Sequence, residues 1–349
     1  MENKTSFRMP AEWGQHTAIW LSWPHDTTTF PYLKEAEAAY IEIVQAIHKS
    51  ELVNLFVLDE VMKTKVEKIF IEKGIDLSRV KFWIKKYSDV WFRDYGPIFV
   101  VKDGESGSTS GKKKLAMVNF IFNAWGEKYA ELMLDTDMPA FINETLKLER
   151  FEPGIVLEGG SIDVDGAGTL LTTEQCLLNK NRNPKLSKTE IENYLKEYLG
   201  VEKIIWLKEG VEADDTDGHI DDIARFVGPH KILCAYEDDE KDFNHKVLKE
   251  NYKILKNSTD ASGTPLKVVK LPMPGFVGDE KGRLPASYAN FYIGNEVVMV
   301  PIFGTENDKK ALEIIQSCFP SRKVIGINCK YIVYGLGTIH CISQQQPLA

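Results

Sequence analysis

Short apolar segments of strand length alternate with amphipathic helices along the whole 349-residue chain. Near the N-terminus, residues 18–23, 52–58 and 80–84 predict strands, and residues 33–49 and 61–72 predict helices. A unit of strand, helix, strand and hairpin recurs about five times, at roughly 60 to 75 residues per unit. This alternation predicts an α/β fold, and a cyclic arrangement of the units would bring distant residues to one centre.

The helix predicted over residues 33–49 has a clear apolar face. Its apolar residues recur at three- and four-residue spacing, which is the period of one helical stripe. The stripe consists of Ala36, Ala39, Tyr40, Ile43, Val44 and Ile47. We expect these six side chains to be buried.

Two hairpins are predicted in the first half of the chain. Residues 97–102 and 115–120 flank a tip rich in glycine, serine and lysine at 104–114, and residues 160–164 and 168–172 flank a turn at Asp165 and Gly166. Further strands are predicted at 204–207, 231–235, 267–271, 296–301 and 323–326, and further helices at 188–198, 243–257 and 309–318. Ser187 is a candidate N-cap for the first of these helices.

Composition and charge exclude several classes of protein. The chain is 43% hydrophobic and 27% charged, which is typical of a globular protein with a substantial core. A net charge of −8 argues against a nucleic-acid partner, since such proteins present a basic face, and it is compatible with a small cationic substrate. The five cysteines are odd in number and show no C-x-x-C spacing, so neither a disulfide framework nor a cysteine-type zinc site is expected.

The N-terminal residues and the chain length limit the expected location of the protein and its number of domains. The N-terminus lacks the apolar core of a secretory signal, and no run of about 18 apolar residues occurs in the chain. We therefore expect no membrane partner and a cytoplasmic location. Length alone would suggest two domains, although large closed architectures of this size form one.

The C-terminal segment carries an unusual concentration of chemically specific residues. Two glycines, Gly335 and Gly337, precede His340 and Cys341, and three glutamines and a proline follow. Glycines ahead of a thiol let the backbone approach a ligand closely. Cys341 is therefore a candidate nucleophile with a distant histidine partner, although a free cysteine between isoleucines is more often an inert buried residue.

Three further segments place charged residues among glycine, aromatic and apolar neighbours. Arg93 and Asp94 lie beside a tryptophan and a Gly-Pro turn, where they could equally form a structural ion pair at a loop corner. Glu158 precedes two glycines at the head of a predicted strand, where it could simply be solvated. His219 and Asp221 would lie on one face of an extended segment, as an acid/base group beside an anionic clamp.

Residues 163–174 partly match the sequence pattern of a calcium-binding loop. Asp163, Asp165, Gly168 and Glu174 match positions 1, 3, 6 and 12 of the EF-hand pattern. However, position 5 is Ala167, and the flanking residues predict strands instead of helices. A hairpin turn is the better interpretation.

Seven segments together resemble the agmatine deiminase family of the guanidine-modifying (pentein) superfamily. The resemblance runs from about residue 8 to residue 347, in the family's motif order. The matching segments are residues 9–13, 20–24, 91–97, 122–126, 158–160, 216–221 and 337–341. The resemblance implies one catalytic domain over residues 1–349, with the five-bladed α/β-propeller (pentein) fold and pseudo-five-fold repeats around a central active site.

The resemblance also assigns roles to five catalytic residues. It implies Cys341 as the nucleophile, His219 as the general acid/base and Glu158 as its partner, and it makes Asp94 and Asp221 the clamps of a guanidinium group. These roles are chemically sound, because a planar guanidinium matches carboxylates in a bidentate manner and its charge favours a neighbouring thiolate.

The outer part of the implied pocket would be lined by Trp91, Trp125 and Asp215. An acidic or aromatic wall there would accept the free ammonium of agmatine and repel a carboxylate. Glu12, Trp13 and Asp214 are further candidates for this wall. No metal and no cofactor is expected, because the substrate supplies its own positive charge.

The implied reaction converts agmatine and water to N-carbamoylputrescine and ammonia. The same motifs occur in arginine and peptidylarginine deiminases, which stay open as the alternative. A non-catalytic binding propeller would be expected to lose the thiol or the histidine, and both are present. A metal-dependent hydrolase using the same acidic residues is a third possibility, and the resemblance leaves a homodimer open.

Overall fold

The computed structural model of the protein describes residues 6–103 and 113–349. In that part of the chain the helices are α1 (Leu33–Ile47), α2 (Glu60–Glu72), α3 (Phe92–Tyr95), α4 (Ala124–Glu127), α5 (Met138–Leu146), α6 (Glu174–Leu177), α7 (Lys188–Leu199), α8 (Phe243–Lys256) and α9 (Asp308–Cys318). The described residues also form five 3-10 segments of three to eight residues, and those at Gly159–Ser161, Ile220–Asp222 and Ile332–Gly335 matter for the site.

The strands of the described residues are short, and several have only two or three residues. They are β1 (His16–Ser22), β2 (Leu52–Val57), β3 (Val80–Ile84), β4 (Ile98–Lys102), β5 (Lys114–Val118), β6 (Glu149–Phe151), β7 (Asp163–Val164), β8 (Thr169–Thr173), β9 (Lys203–Leu207), β10 (Ala224–Gly228), β11 (Lys231–Tyr236), β12 (Lys267–Pro272), β13 (Gly278–Asp279), β14 (Gly282–Arg283), β15 (Tyr292–Ile293), β16 (Val297–Ile302), β17 (Lys323–Asn328) and β18 (Ser343–Pro347).

Five sheets share one pairing pattern. In each, a central strand pairs antiparallel with one neighbour and parallel with the other, and the three strands run in the orders β18-β1-β2, β4-β5-β6, β7-β8-β9, β10-β11-β12 and β15-β16-β17. Strand β3 extends the first sheet, and β13 and β14 form a small hairpin. The parallel partners are joined through helices, which is the connection that parallel pairing requires. The result is a mixed α/β fold.

The first sheet is assembled from both ends of the chain. Strand β18 pairs antiparallel with β1, so that Gln344 lies opposite Trp20. Behind this pair, the buried guanidinium of Arg93 donates from Nη1 to the side-chain oxygens of Gln344 (2.6 Å) and Gln345 (2.7 Å). This pairing fixes the C-terminal segment, and with it Cys341, against the N-terminal part of the protein.

The first strand of each of these five sheets follows a loop that carries a candidate site residue. Asp94 precedes β4, Glu158 precedes β7, Asp221 precedes β10 and Cys341 precedes β18. Asn290 occupies the corresponding place before β15. Five similar units thus each contribute one polar or thiol group from the same topological position.

Most of the predicted elements are confirmed within one or two residues. Strand β3 has the predicted bounds, the six stripe residues of α1 are its buried residues, and Ser187 caps α7 with a capping box to Glu190. Strands β4 and β5 pair as the predicted hairpin, whose tip at residues 104–112 lies outside the described residues.

Three differences have physical reasons. The strand predicted at 160–164 begins only at Asp163, because residues 159–161 form a 3-10 turn. The glutamine-rich β18 and the strand β10, which contains Arg225, were not predicted, since their buried polar residues hide the usual apolar pattern. Asp165 accepts the backbone N–H of Ala167 and of Thr169, both at 2.8 Å, so the calcium-like segment is the predicted hairpin turn.

Among the described residues, every helix is too short or too polar to cross a lipid bilayer.

Candidate active site

A cavity of about 260 Å³ has Cys341 and Asp94 in its wall, together with Trp91, Trp125 and Asp215. Its remaining lining residues are Asp26, Thr28, Thr29, Asp89, Tyr129, Glu131, Leu132, Thr216, Tyr334, Gly335, Leu336 and Gly337. Five of the described lining residues are carboxylic acids, and none of them is a lysine, an arginine or a histidine. The cavity is therefore suited to a small cation.

The thiol of Cys341 is held by a clamp from another sheet. The Nδ2–H of Asn290 donates to Sγ of Cys341 at 3.0 Å. The Oδ1 atom of the same side chain accepts from the hydroxyl of Thr338 (2.7 Å) and from the backbone N–H of His340 (3.0 Å). Asn290 thereby fixes both the turn that carries the cysteine and the direction of its sulfur.

Two glycines before Cys341 leave room for Trp91. A Cβ atom on Gly337 would lie 2.5 Å from a ring carbon of Trp91 and 3.2 Å from Sγ of Cys341, and a Cβ on Gly335 would lie 2.8 Å from the same ring. The indole N–H of Trp91 donates to Asp89 at 2.9 Å, which fixes the ring at the cavity wall. The glycines are needed because the indole packs directly on this backbone.

Burial and nearby negative charge keep Cys341 protonated in the free protein. Burial raises the pKa of this thiol well above its usual range, and the carboxylates of Asp221, Asp222 and Asp94 raise it further. Sγ lies 3.7 Å from Oδ2 of Asp221. Since the thiolate is the nucleophilic form, a cation bound beside Cys341 is needed to activate it.

Asp94 lies on the one-turn helix α3 and accepts two hydrogen bonds. The indole N–H of Trp125 donates to Oδ2 and the backbone N–H of Gly160 donates to Oδ1, both at 3.0 Å. Burial raises the pKa of Asp94 well above its usual range, and the charges of Asp221 and Glu158 add to the effect. A cation between these carboxylates would reverse this shift.

Asp221 is the site carboxylate with a basic partner of its own. Burial opposes its ionisation, but the hydrogen bond and charge of His340, whose Nδ1 lies 2.6 Å from Oδ2, lower the pKa of Asp221. The other ring nitrogen of His340 lies 2.9 Å from Oε2 of Glu12, which also accepts from Arg225 at 2.6 Å. Asp221 is thus tied to a buried ionic chain, and its Oδ1 has no hydrogen-bond partner in the described structure.

His219 is buried and neutral. Its backbone N–H donates to Asp214 at 3.0 Å, but neither ring nitrogen has a hydrogen-bond partner among the described residues. Burial lowers the pKa of His219 to about 3, although the charge of Asp221 opposes the shift. Nδ1 lies 3.8 Å from Oδ1 of Asp94. An imidazole with free nitrogens among carboxylates is prepared to accept a proton from a reacting group.

Glu158 is fully buried and is anchored by Arg182. Nε of Arg182 donates to Oε1 of Glu158 at 2.5 Å, while its other nitrogens donate to Asp217 (2.8 Å) and to the carbonyl of Thr216 (2.9 Å). Burial raises the pKa of Glu158, and the guanidinium of Arg182 limits the rise. The second oxygen, Oε2, has no hydrogen-bond partner in the described structure.

Gly160 is the point where these groups converge. A Cβ atom at this position would lie 2.6 Å from Nδ1 of His219, 2.9 Å from Oδ1 of Asp94 and 3.2 Å from Oδ2 of Asp221. The first two distances are shorter than real Cβ contacts, and the third is tighter than most of them. The Gly-Gly pair after Glu158 therefore allows a histidine and two aspartates to surround one backbone segment.

Part of the cavity wall is aromatic and acidic. Trp125 lies in a left-handed turn, with φ of 51° at Ala124 and 54° at Trp125, a conformation that costs roughly 1–2 kcal/mol per residue without glycine. Its hydrogen bond to Asp94 holds the indole in place. The phenol of Tyr129 donates to Asp215, so that this carboxylate has a fixed position in the wall.

The structure brings the eight predicted site residues to one region but corrects three expectations about their surroundings. His219 and Asp221 do not lie on an extended segment, because residues 220–222 form a 3-10 turn after His219. Arg93 pairs with the glutamines of β18 instead of with Asp94. Of the proposed wall residues, Glu12, Trp13 and Asp214 do not line the cavity.

Sequence reasoning missed Asn290, Arg182 and the bridging role of His340. Arg182 and His340 act through contacts between distant segments, which a linear pattern does not reveal. Asn290 shares its place before the first strand of a sheet with four candidate site residues, but that pattern became visible only in the structure, because β10, β15 and β18 were not predicted.

Fold and site together define a mixed α/β protein in which an acidic cavity has a thiol in its wall and a buried, neutral histidine lies beside one of the wall carboxylates. The profile of the family described as Porphyromonas-type peptidyl-arginine deiminase matches residues 8–347, and the chain belongs to this family.

Similar proteins cover the whole chain. Agmatine deiminase of Medicago truncatula is 38% identical over 367 residues, covering 98% of this chain and 96% of the relative. The solved structure of agmatine deiminase of Enterococcus faecalis has a TM-score of 0.89 and 34% identity, covering 99% of this chain and 97% of the other. A cysteine-to-serine variant of C. jejuni agmatine deiminase with substrate bound has a TM-score of 0.86 and 32% identity, covering 97% and 96%.

Substitution of Gly160 by alanine tests the crowding of the site. We expect Gly160→Ala to lower kcat/KM by about two orders of magnitude, because the added methyl group would displace His219 and Asp94, and a shift of about 1 Å can have this effect. Gly326→Ala is the control, since its Cβ would meet side-chain carbons of Ile302 and Leu312 at 3.1 Å or more. Steady-state kinetics and thermal unfolding of both variants check the prediction, and near-normal turnover by Gly160→Ala contradicts it.

Alkylation of Cys341 tests the cause of its raised pKa. At one fixed pH near 8, Asp221→Asn should increase the rate of modification by iodoacetamide roughly tenfold, the effect of about one pKa unit, while deimination falls. The reason is that loss of this negative charge lowers the pKa of the thiol. Asp238→Asn, at an exposed position, should leave the rate unchanged. Mass spectrometry of the labelled peptide measures the rate, and unaltered or slower labelling in Asp221→Asn would refute the electrostatic account.

Proposed function

We propose that this protein is an agmatine deiminase that hydrolyses the guanidinium group of agmatine to N-carbamoylputrescine and ammonia. The observation that carries the proposal is a thiol flanked by the carboxylates of Asp94 and Asp221 at an acidic cavity. The names of the full-length relatives support the same activity.

Asp94 and Asp221 bind the guanidinium group of the substrate. A planar guanidinium presents paired N–H donors that match carboxylate oxygens, and charge-assisted pairs of this kind are strong in a dry site. Oδ1 of Asp221 is free to accept such a bond. The cation lowers the pKa of Cys341 toward the neutral range by compensating the carboxylates that raise it.

The reaction then proceeds in two stages. The proton of the thiol passes to His219, and the sulfur attacks the central carbon to form a C–S bond. His219 returns the proton to an amino nitrogen, the C–N bond breaks and ammonia leaves, which gives a cationic thiouronium on Cys341. His219 next takes a proton from water and the hydroxide adds to the same carbon. The C–S bond then breaks as the sulfur recovers the proton from His219 and the hydroxyl proton of the adduct passes to solvent, where ammonia takes it up, so that the ureido product, the thiol and neutral His219 result.

Glu158 is the partner of His219 during these transfers. A carboxylate oxygen of Glu158 and a ring nitrogen of His219 lie within 4.8 Å of each other. Arg182 holds Oε1 of Glu158, so that the free Oε2 keeps its position. When His219 carries the extra proton, Glu158 and Asp94 stabilise its positive charge.

The outer cavity sets substrate choice. Trp91 and Trp125 flank the aliphatic chain, and Asp215 with the other wall carboxylates accepts the terminal ammonium. The carboxylate of arginine would meet negative charge there, with no described cationic side chain in the wall to receive it. The alternative, an arginine or peptidylarginine deiminase, is supported by the name of the matching family and by the names of two similar solved structures, a peptidyl-arginine deiminase and an arginine deiminase.

The organisation of the whole protein can be inferred from the same observations. We infer that the five similar sheets are the blades of one α/β-propeller, that residues 1–349 form one catalytic domain and that the enzyme works in the cytoplasm. The position of one site residue before the first strand of each of these five sheets supports the propeller. A homodimer remains compatible with this organisation.

Replacement of the nucleophile tests the covalent mechanism. Cys341→Ser should lower ammonia release from agmatine by at least about 10³-fold without unfolding the protein, since a hydroxyl is a far weaker nucleophile here. Cys234→Ser, at another buried cysteine, is the control. Rapid quenching of the wild type should reveal an adduct of agmatine less ammonia on Cys341 by mass spectrometry. Substantial turnover by the serine variant would exclude the covalent route.

A substrate panel tests the specificity. Agmatine should be preferred over free arginine by about two orders of magnitude in kcat/KM, which corresponds to roughly 3 kcal/mol and to one misplaced charge in a buried site. Asp215→Asn should reduce the ratio of the two kcat/KM values, because it lowers kcat/KM for agmatine and leaves kcat/KM for arginine unchanged. The control variant Asp238→Asn should leave the ratio unchanged. Equal rates on arginine, or faster release from a peptide ending in arginine, would instead support the alternative function.

A further inference from the structure

A second buried thiol lies directly behind the candidate active site. Cys176 is on the one-turn helix α6, where its backbone N–H donates to the hydroxyl of Thr173 at 3.1 Å. It is a free cysteine without exposed surface, and it has no part in the proposed reaction. Its sulfur, a carboxylate oxygen of Glu158 and a ring nitrogen of His219 all lie within 4.8 Å of one another.

Two of these three groups have unused hydrogen-bonding atoms. Oε2 of Glu158 and both ring nitrogens of His219 are buried without a hydrogen-bond partner among the described residues. The exposed fraction is 0% for Glu158 and 1% for His219. Buried polar atoms are normally paired, so a cluster of unpaired ones beside a thiol indicates that a ligand can be accommodated.

We propose that Glu158, Cys176 and His219 form an inhibitory site for a divalent cation of the zinc and cadmium class. Thiolate, imidazole and carboxylate are the preferred ligands of zinc. Tetrahedral coordination at ordinary zinc bond lengths sets ligand atoms roughly 3.3 to 3.8 Å apart. Each side chain therefore has to move by less than about 1 Å from its present position.

The local charges balance when such a cation binds. Glu158 and the thiolate of Cys176 supply two negative charges against the two positive charges of the metal, and Arg182 is matched by Asp217 at 2.8 Å. Arg182 also holds Oε1 of Glu158, which is the kind of outer contact that orients a metal ligand. The metal would displace the thiol proton, as coordination normally does.

The consequence for activity rests on the proposed function. Coordination occupies the nitrogen lone pair with which His219 accepts a proton, so deimination stops while the metal is bound. The inhibition is reversible, because a chelator removes the metal and returns His219 to its neutral, unpartnered state. The catalytic reaction itself needs no metal, so a chelator alone leaves the rate of the purified enzyme unchanged.

A competing cluster is less suited to zinc. Asp221, Asp222 and Cys341 also approach within 4.8 Å of one another. However, Sγ of Cys341 already accepts a hydrogen bond from Asn290, and Oδ2 of Asp221 is bound to His340. This cluster also has no imidazole. The Cys176 cluster has both the better donor set and the free ligand atoms.

Cobalt binding identifies the sulfur ligand without relying on activity. Cobalt(II) titrated into the Cys341→Ser variant should produce a thiolate-to-metal charge-transfer band at one ion per chain, and zinc should displace it. The band should disappear in Cys341→Ser/Cys176→Ala and persist in Cys341→Ser/Cys234→Ala. Loss of the band in Cys341→Ser itself, with retention in Cys176→Ala alone, would place the ion at the competing cluster and overturn the proposal.

Zinc inhibition of agmatine turnover provides the functional measurement. Each variant is compared with its own rate without zinc, so a direct effect of the substitution on activity cancels. Cys176→Ala should need at least about tenfold more zinc for half-inhibition, the scale of a lost metal contact, and Cys234→Ala should match the wild type. Equal zinc sensitivity of Cys176→Ala and wild type would refute the inhibitory site. If agmatine is not a substrate, the cobalt band still decides the metal site by itself.

Discussion

The crowding of buried negative charge around one thiol is the constraint on which the rest of the site depends. Asp221, Asp222 and Asp94 surround Cys341 in a desolvated region, and together with burial they raise its pKa well above the usual range. Ionisation of the thiol is unfavourable in such a site, and a bound cation makes the ionisation more favourable. The substrate therefore activates its own nucleophile, which links recognition of positive charge to catalysis.

Buried arginines compensate part of the negative charge of the buried carboxylates. Arg182 compensates Glu158, Arg225 compensates Glu12 and Asp163, and Arg93 is held by the C-terminal strand. These cations lie behind the catalytic groups and outside the described wall of the cavity. The protein thus separates two electrostatic tasks: fixed cations stabilise the fold, and the acidic cavity stays available for a cationic ligand.

Much of the secondary structure was predictable because it depends on local patterns. The apolar stripe of α1 and the alternation of strand and helix are properties of neighbouring residues, and the structure agrees with them. The strands β10 and β18 were not predictable in this way. Their buried polar residues, such as Arg225 and Gln344, are satisfied by partners more than 60 residues away in sequence, so they lack a local apolar signal.

The sequence by itself determined the chemistry of the site: the thiol of Cys341, the imidazole of His219 and the carboxylates of Asp94, Glu158 and Asp221. Only the tertiary structure decided the protonation state of these groups and the residues that hold them in place. The clamp of Asn290 on the sulfur, the anchoring of Glu158 by Arg182 and the proximity of Cys176 all join separate sheets or segments. Burial and mutual distance set the pKa values and the free hydrogen-bonding atoms, and both are properties of the folded arrangement that no linear order of residues contains.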